Sequence, residues 1–202
     1  ISHAQKQLSL IFHRYLSGEA RKGFNIEMQG YSLSPTDPFM SLHPATQKID
    51  EEFIKLRGKE KIAIQPYIIP HFSKLTVQEK ETLGGDEGLM RNQGFYVYRN
   101  KRLIIYGTWF RLIPHGELSQ LTRVRIDLPN TQDQDWKITL DKSDAQLPIV
   151  LRTRLKDFVK KFSRRSFKAH RKTGADLSIN DKHTAVWKRI VQNGRIKYLI
   201  NR

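Results

Sequence analysis

Apolar residues at helical spacing open the chain. In HAQKQLSLIFHRYL, Leu8, Ile11, Phe12 and Tyr15 recur at the three- and four-residue steps of one helix face, which predicts a helix over residues 3–16 with Gly18 as its stop. The period then drops to two. Phe24, Ile26 and Met28 alternate with Asn25 and Glu27, and Gln29-Gly30 supplies a tight turn, so GFNIEMQGYSL predicts a hairpin. The Pro-, Ser- and Thr-rich stretch SPTDPFMSLHPATQ reads as an ordered loop. KIAIQPYIIPHF is strand-like, and its two prolines predict an edge strand or a bulge, because proline cannot donate to a ladder. Residues 73–91 are expected to start with a short helix, and LGGDEG within them reads as a flexible loop.

Strand signals dominate the middle of the chain. Phe95, Val97 and Tyr98 form one strand, Asn100-Lys101 a type I′ turn, and Leu103 to Tyr106 the return strand. TRVRIDL and DWKITL follow, split by a polar loop from Pro129 to Gln134. The period then changes again. Leu151, Leu155, Phe158, Val159, Phe162 and Phe167 take helical steps, which predicts a long amphipathic helix. Ser143 or Asp144 is placed to cap it, Pro148 lies near its first turn, and Gly174 ends it. The tail TAVWKRIVQNGRIKYLINR reads as a strand, an Asn-Gly turn and a second strand. The sum is an α+β fold: a mainly antiparallel sheet backed by a long basic amphipathic helix.

Charge sharpens this picture. The 202 residues suit one medium domain or two small ones, and the formal net charge is +16. Such an excess of cations favours polyanionic partners, nucleic acid first and an anionic membrane face second, or an acidic partner domain. The absence of cysteine excludes disulfides and thiolate metal sites and fits a reducing, cytoplasmic setting. No apolar run approaches the roughly 20 residues of a membrane span. The first residue is Ile1 and an amphipathic pattern is running by Leu8, so the chain is expected to begin inside a longer protein.

Candidate chemistry is sparse. The histidines, His3, His13, His43, His71, His115, His170 and His183, show no metal-binding spacing, and no metal site is expected. A two-metal nuclease would draw on Asp127 and the D-x-K of Asp135-Trp136-Lys137, but D-x-K is common by chance and no upstream Glu completes the set. No phosphate loop GxxxxGK[ST] is present, nor an acidic base with a nearby Asn, a DxG loop or a Gly-rich lid, so no catalytic residue is assigned. Nucleic-acid contacts are expected from Arg152, Lys156, Lys160, Lys161, Arg164, Arg165 and Lys168 on the basic helix face, and from Arg99 and Arg102 on the hairpin. The plain alternative is a solvated face, or one that docks on an acidic domain. Trp109, Trp136 and Trp187 read as core or interface aromatics. No spacing argument separates His13-Arg14 as a contact from simple surface exposure.

Taken in order, LSLIFHRYLSG, DPFMSLHPATQ, GFYVYRNKRLIIYGTWFRL, WKITLDKSDAQLP and AVWKRIV…YLINR form a recognisable series. It resembles the C-terminal half of prokaryotic GHKL ATP-binding proteins related to the MORC ATPases and, more distantly, DNA gyrase B and MutL. The resemblance runs over roughly residues 5–202. Its most specific piece is GFYVYRNKRLI, similar to the family's G-x-Y-x-Y-R-N-x-R-L-I hairpin, followed by LDKSDAQLP. It implies a transducer-type fold: residues 1–20 as the helix joining from a preceding ATPase domain, 21–175 as the transducer-like domain, and 176–202 as a C-terminal hairpin extension. It also implies that ATP and Mg²⁺ are bound mainly by that ATPase domain, that Lys142 senses the γ-phosphate, and that the parent protein is a homodimer that engages DNA, with no membrane. Such proteins serve DNA topology, repair, chromatin compaction and phage defence, so the fold does not select the pathway. The rival expectations are a stand-alone basic nucleic-acid-binding domain and, behind it, the nuclease.

Overall fold

A computed structural model describes residues 2–55, 61–128, 152–160, 187–192 and 195–200. The predicted first helix is two pieces, α1 (Ser2–Ile11) and α2 (His13–Leu16), separated at Phe12. Gly18, at φ 81°, follows them, and its N–H donates to the Tyr15 carbonyl. The expected hairpin is present as β1 (Glu27–Met28) and β2 (Tyr31–Ser32), turned by Gln29 and Gly30 at φ 55° and 78°.

Among the described residues six strands make the central sheet: β3 (Gln47–Lys48), β4 (Glu52–Lys55), β5 (Lys61–Ile68), β6 (Gly94–Arg99), β7 (Arg102–Thr108) and β8 (Thr122–Leu128). Their order is β3-β5-β8-β6-β7, with β4 also on β5. The architecture is α+β with a mixed sheet, because β6 runs parallel to β8 while the other pairs are antiparallel. A separate antiparallel pair, β9 (Trp187–Gln192) and β10 (Arg195–Ile200), forms the C-terminal hairpin. Residues 152–160 are helical, with Leu155, Phe158 and Val159 buried and Arg152, Lys156 and Lys160 exposed. The rest of the expected long helix, and the DWKITL strand, lie outside the described residues.

Two expectations are corrected. The prolines of KIAIQPYIIPHF do not mark an edge, since β5 has β8 on one side and β3 and β4 on the other. Pro66 sits opposite Ile49, where β3 stops and β4 has not begun. Its carbonyl accepts from Ile49 N at 3.1 Å. The returning bond would need an N–H that proline lacks. The Gln65 side chain replaces it, with Nε2 donating to the Ile49 carbonyl. The second correction concerns LGGDEG. After α3 (Val77–Thr82), whose N-terminus is closed by a reciprocal Thr76–Glu79 capping box, Gly84 turns the chain at φ 87° and α4 (Gly85–Arg91) begins at once. At Gly88 a Cβ would lie 1.8 Å from the Leu83 carbonyl oxygen, so that glycine answers to packing, not flexibility.

The sheet has two unlike faces. On the first, Ile62, Ile64, Phe95, Val97, Ile105, Val124, Ile126 and Leu128 form the main apolar core with Trp109 and with Leu155, Phe158 and Val159. On the second, β8 presents Arg123, Arg125 and Asp127. Register sets Tyr67 beside Arg123, Gln65 and Tyr96 beside Arg125, and Ala63 and Tyr98 beside Asp127. Phe39 covers this face, its ring 4.7 Å from Tyr67 and 5.2 Å from Tyr96.

Replacing Gln65 by Leu keeps the volume but leaves the Ile49 carbonyl unsatisfied, and is expected to cost about 1–3 kcal/mol. Urea unfolding measures it; an unchanged midpoint would show that the Gln65 amide is not the missing donor.

Candidate functional site

Alternation along β8 aims Arg123, Arg125 and Asp127 at the same side, and α2 lies over them with His13 and Arg14. Arg14 is 5 % exposed. Its Nη1 donates to Asp127 Oδ1. Nη2 donates to Glu19 Oε1 at 2.6 Å, and Nε lies 3.0 and 3.1 Å from the two Glu19 oxygens. The Tyr98 ring packs beneath, 4.9 Å from Cζ. Arg125 Nε stands 3.1 Å from Asp127 Oδ2 without an aligned hydrogen bond to it, and Nη2 stands 3.7 Å from Glu51. His13 completes the layer, its Nε2 2.7 Å from the Tyr98 hydroxyl.

Protonation follows from this packing. Burial drives the His13 imidazole down to about 4; Asp37 opposes the shift and Arg14 adds to it. The ring is therefore neutral at physiological pH. Burial alone would lower the Arg14 guanidinium, but its bond to Glu19 and the Asp127 charge outweigh that and push it up. For Glu19, burial raises the carboxyl and the Arg14 hydrogen bond more than reverses it, so the net shift is down. Burial pushes the Tyr98 hydroxyl well up. The array is a fixed ion cluster beside a neutral imidazole.

Asp127, the anchor of the nuclease expectation, is held between two guanidiniums, which leaves its carboxylate little capacity to neutralise a metal ion. No group of three or more His, Asp or Glu suited to a metal occurs among the described residues. Arg99 and Arg102 face each other across the hairpin, and Asn100 and Lys101, at φ 48° and 62°, form the type I′ turn. That tip is docked: Tyr15 donates to the Asn100 carbonyl at 2.7 Å, Lys101 Nζ to the Glu19 carbonyl at 3.0 Å, and Arg102 lies over the Phe12 ring at 5.4 Å. Arg152, Lys156 and Lys160 are exposed. Lys142, Lys161, Arg164, Arg165, Lys168, Asp135 and Lys137 lie outside the described residues. Trp109 is a core aromatic, edge-on to Phe95 at 5.2 Å, with Nε1 donating to Gln93.

Sequence patterning alone treats Asp127 as a solvated charge and does not bring out the His13–Arg14–Asp127 layer. One signal for it exists. Phe95 to Tyr98 are apolar on both faces, the mark of a strand covered on both sides. Once β8 is placed beside it, TRVRIDL is covered too, with Arg123 buried and Arg125 and Asp127 half-buried. The chain matches no protein-family model and no curated protein.

A neutral, buried His13 makes stability depend on pH. Its folded value of about 4 lies below 6.5, so the folded state binds the proton less well than the unfolded one. The contribution is complete above pH 6.5 and is lost as the pH falls toward about 4. The difference of 6.5 and 4 amounts to about 3 kcal/mol in all. In His13→Gln that acid-side slope should flatten; an identical slope in both proteins would assign it elsewhere.

Proposed function

We propose that this region is the nucleotide-sensing transducer of a GHKL-type ATP-binding protein. It couples ATP and Mg²⁺ held by a preceding ATPase domain to a rigid-body movement that closes a homodimer or engages DNA. The motif series supports this, and one observation carries it. The segment holding Lys142 runs from Leu128, at the end of β8, to the helical residues 152–160, and Leu128, Leu155, Phe158 and Val159 all belong to one apolar core. A pull on a segment whose two ends share a core moves the whole body, as a sensor requires. An ammonium at Lys142 is a compact charge suited to a terminal phosphate, and a helix capped at Ser143 or Asp144, as the sequence pattern expects, would add partial positive charge beside it. On this reading the fold is of transducer type, and the helical residues 152–160 belong to the long basic helix. Nothing in the motifs supplies a base or a Mg²⁺ ligand, so hydrolysis belongs to the ATPase domain.

In the protein that joins this region to its ATPase domain, Lys142→Ala should leave folding intact and cost on the order of 2–4 kcal/mol in the transition state for ATP turnover. Unchanged turnover defeats the assignment.

A second reading, a basic nucleic-acid-binding domain that acts without ATP, is favoured by the helical residues 152–160. Arg152, Lys156 and Lys160 stand exposed while Leu155, Phe158 and Val159 are buried. Residues on successive turns lie about 5.4 Å apart, within reach of successive phosphates. Duplex DNA binding should weaken with salt at about −0.9 in log–log slope per phosphate neutralised. Changing Arg152, Lys156 and Lys160 together to Gln should reduce the slope by about one for each phosphate that is no longer neutralised. No binding at low salt removes this reading, and binding indifferent to ATP in the joined protein favours it over the first.

A further inference from the structure

Arg123 is the odd member of the second face. It is 2 % exposed, and its guanidinium has one hydrogen-bond acceptor, the Pro38 carbonyl, which takes Nη1. Nε and Nη2 are closed to solvent, on the cleft side as elsewhere, and have no hydrogen-bond partner among the described residues. Arg14 and Arg125, on the same layer, each meet carboxylates. Among the described residues Arg123 meets none, and the Tyr96 ring, 5.7 Å from Cζ, is a weak substitute. A buried cation is normally paired, because burial strips its hydration.

Arg123 also stands in the wall of a cleft of about 460 Å³ between α1, the loop at Thr36–Pro38 and the turn joining α3 to α4. That volume is in the range of small-molecule sites. Lys6 and Asn92 add polar groups, and Leu10, Leu83, Tyr96 and Tyr106 give apolar wall. Asp37 also lines the cleft, but its carboxylate is committed to its own loop: Oδ1 accepts from Phe39 N at 2.9 Å, and Oδ2 from Ser41 N and Oγ at 2.7 and 2.5 Å. Glu81, a second acid in the lining, is exposed to solvent.

The geometry points to this cleft as a binding site for a small organic oxyanion, a phosphate or carboxylate carried on an apolar body, with Arg123 as its buried counter-charge and Lys6 contributing a second cation. An anionic, acceptor-only group matches the Lys6 ammonium as its direct donor and the uncompensated Arg123 charge in the wall behind it. The leucine and tyrosine walls match the body that carries it. The site rests on Arg123 and Lys6 and not on Lys142, so it stands or falls separately from the ATP reading.

A chain of net charge +16 attracts any anion weakly, so the test holds net charge fixed. Phenyl phosphate, benzoate and inorganic phosphate are titrated into the protein and followed by amide NMR. Phenyl phosphate or benzoate should bind saturably, one per chain, and tighter than inorganic phosphate, with shifts centred on Asn92, Tyr96 and Arg123. The tighter of the two organic probes identifies the anionic group. Lys6→Glu should weaken binding about fivefold or more, whereas Lys22→Glu, an equal charge change at an exposed position away from the cleft, should leave it within about twofold. Arg123→Gln should abolish saturable binding, with thermal unfolding showing that the variant is folded; if it is not, the Lys6 and Lys22 pair decides. Shifts scattered over the basic surface, titrations that never saturate, or equal effects of Lys6→Glu and Lys22→Glu would overturn the site.

Discussion

The guanidinium of Arg14 is the constraint on which the N-terminal half of this fold depends. It joins three separated pieces of chain: α2, which carries it, the turn at Glu19, and the centre of the sheet at Asp127. Taking these ions out of water is costly, and the attraction between them offsets that cost only when every donor is well placed. Arg14 meets the condition with bonds from Nε, Nη1 and Nη2. A well-packed apolar group of similar size could hold α2 to the sheet as strongly. What the ion array adds is direction: Glu19 holds the guanidinium from its own stretch of chain, and Asp127 ties it to β8. The β6–β7 hairpin inherits that placement, since its tip is tied to the Glu19 carbonyl and to Tyr15.

The two faces of the sheet thus hold different things by different physics. The apolar face fixes both ends of the segment that contains Lys142, through Leu128 and through Leu155, Phe158 and Val159. The ionic face fixes α2, and with it the start of the chain, to β8. A force applied at either place meets the same strand. This shared anchorage comes from β8 lying in the middle of the sheet with charged and apolar residues in alternation, and the proposed transducer role would draw on it.

Much of the fold is legible in the sequence where one local rule decides. The Gln29-Gly30 and Asn100-Lys101 turns, the β6–β7 hairpin and the terminal β9–β10 pair all follow from turn chemistry between alternating runs. Errors arise where a remote residue overrides the local rule. Pro66 signals an edge until Gln65 supplies the missing donor from the side. Gly84 and Gly88 signal flexibility until the φ of 87° at Gly84 and the close approach of Gly88 to Leu83 are seen. The candidate site is the least legible part. Arg123, Arg125 and Asp127 have the alternation of a solvent-facing strand, and only the doubly apolar Phe95–Tyr98 beside them hints that the face is closed. The pairing of β8 with β6 in parallel, across an intervening hairpin and loop, has no local signature at all.

The central claim is that Arg14 and Asp127 act as one clamp between α2 and β8. A double-mutant cycle measures this directly: Arg14→Met, Asp127→Asn and the pair, each unfolded in urea at neutral pH. Residues in one buried network couple by about 0.5–3 kcal/mol, and the clamp predicts a value near the upper end, with the double mutant far less destabilised than the two single changes added together. Additive single effects, with a coupling of a few tenths of a kcal/mol, would contradict it.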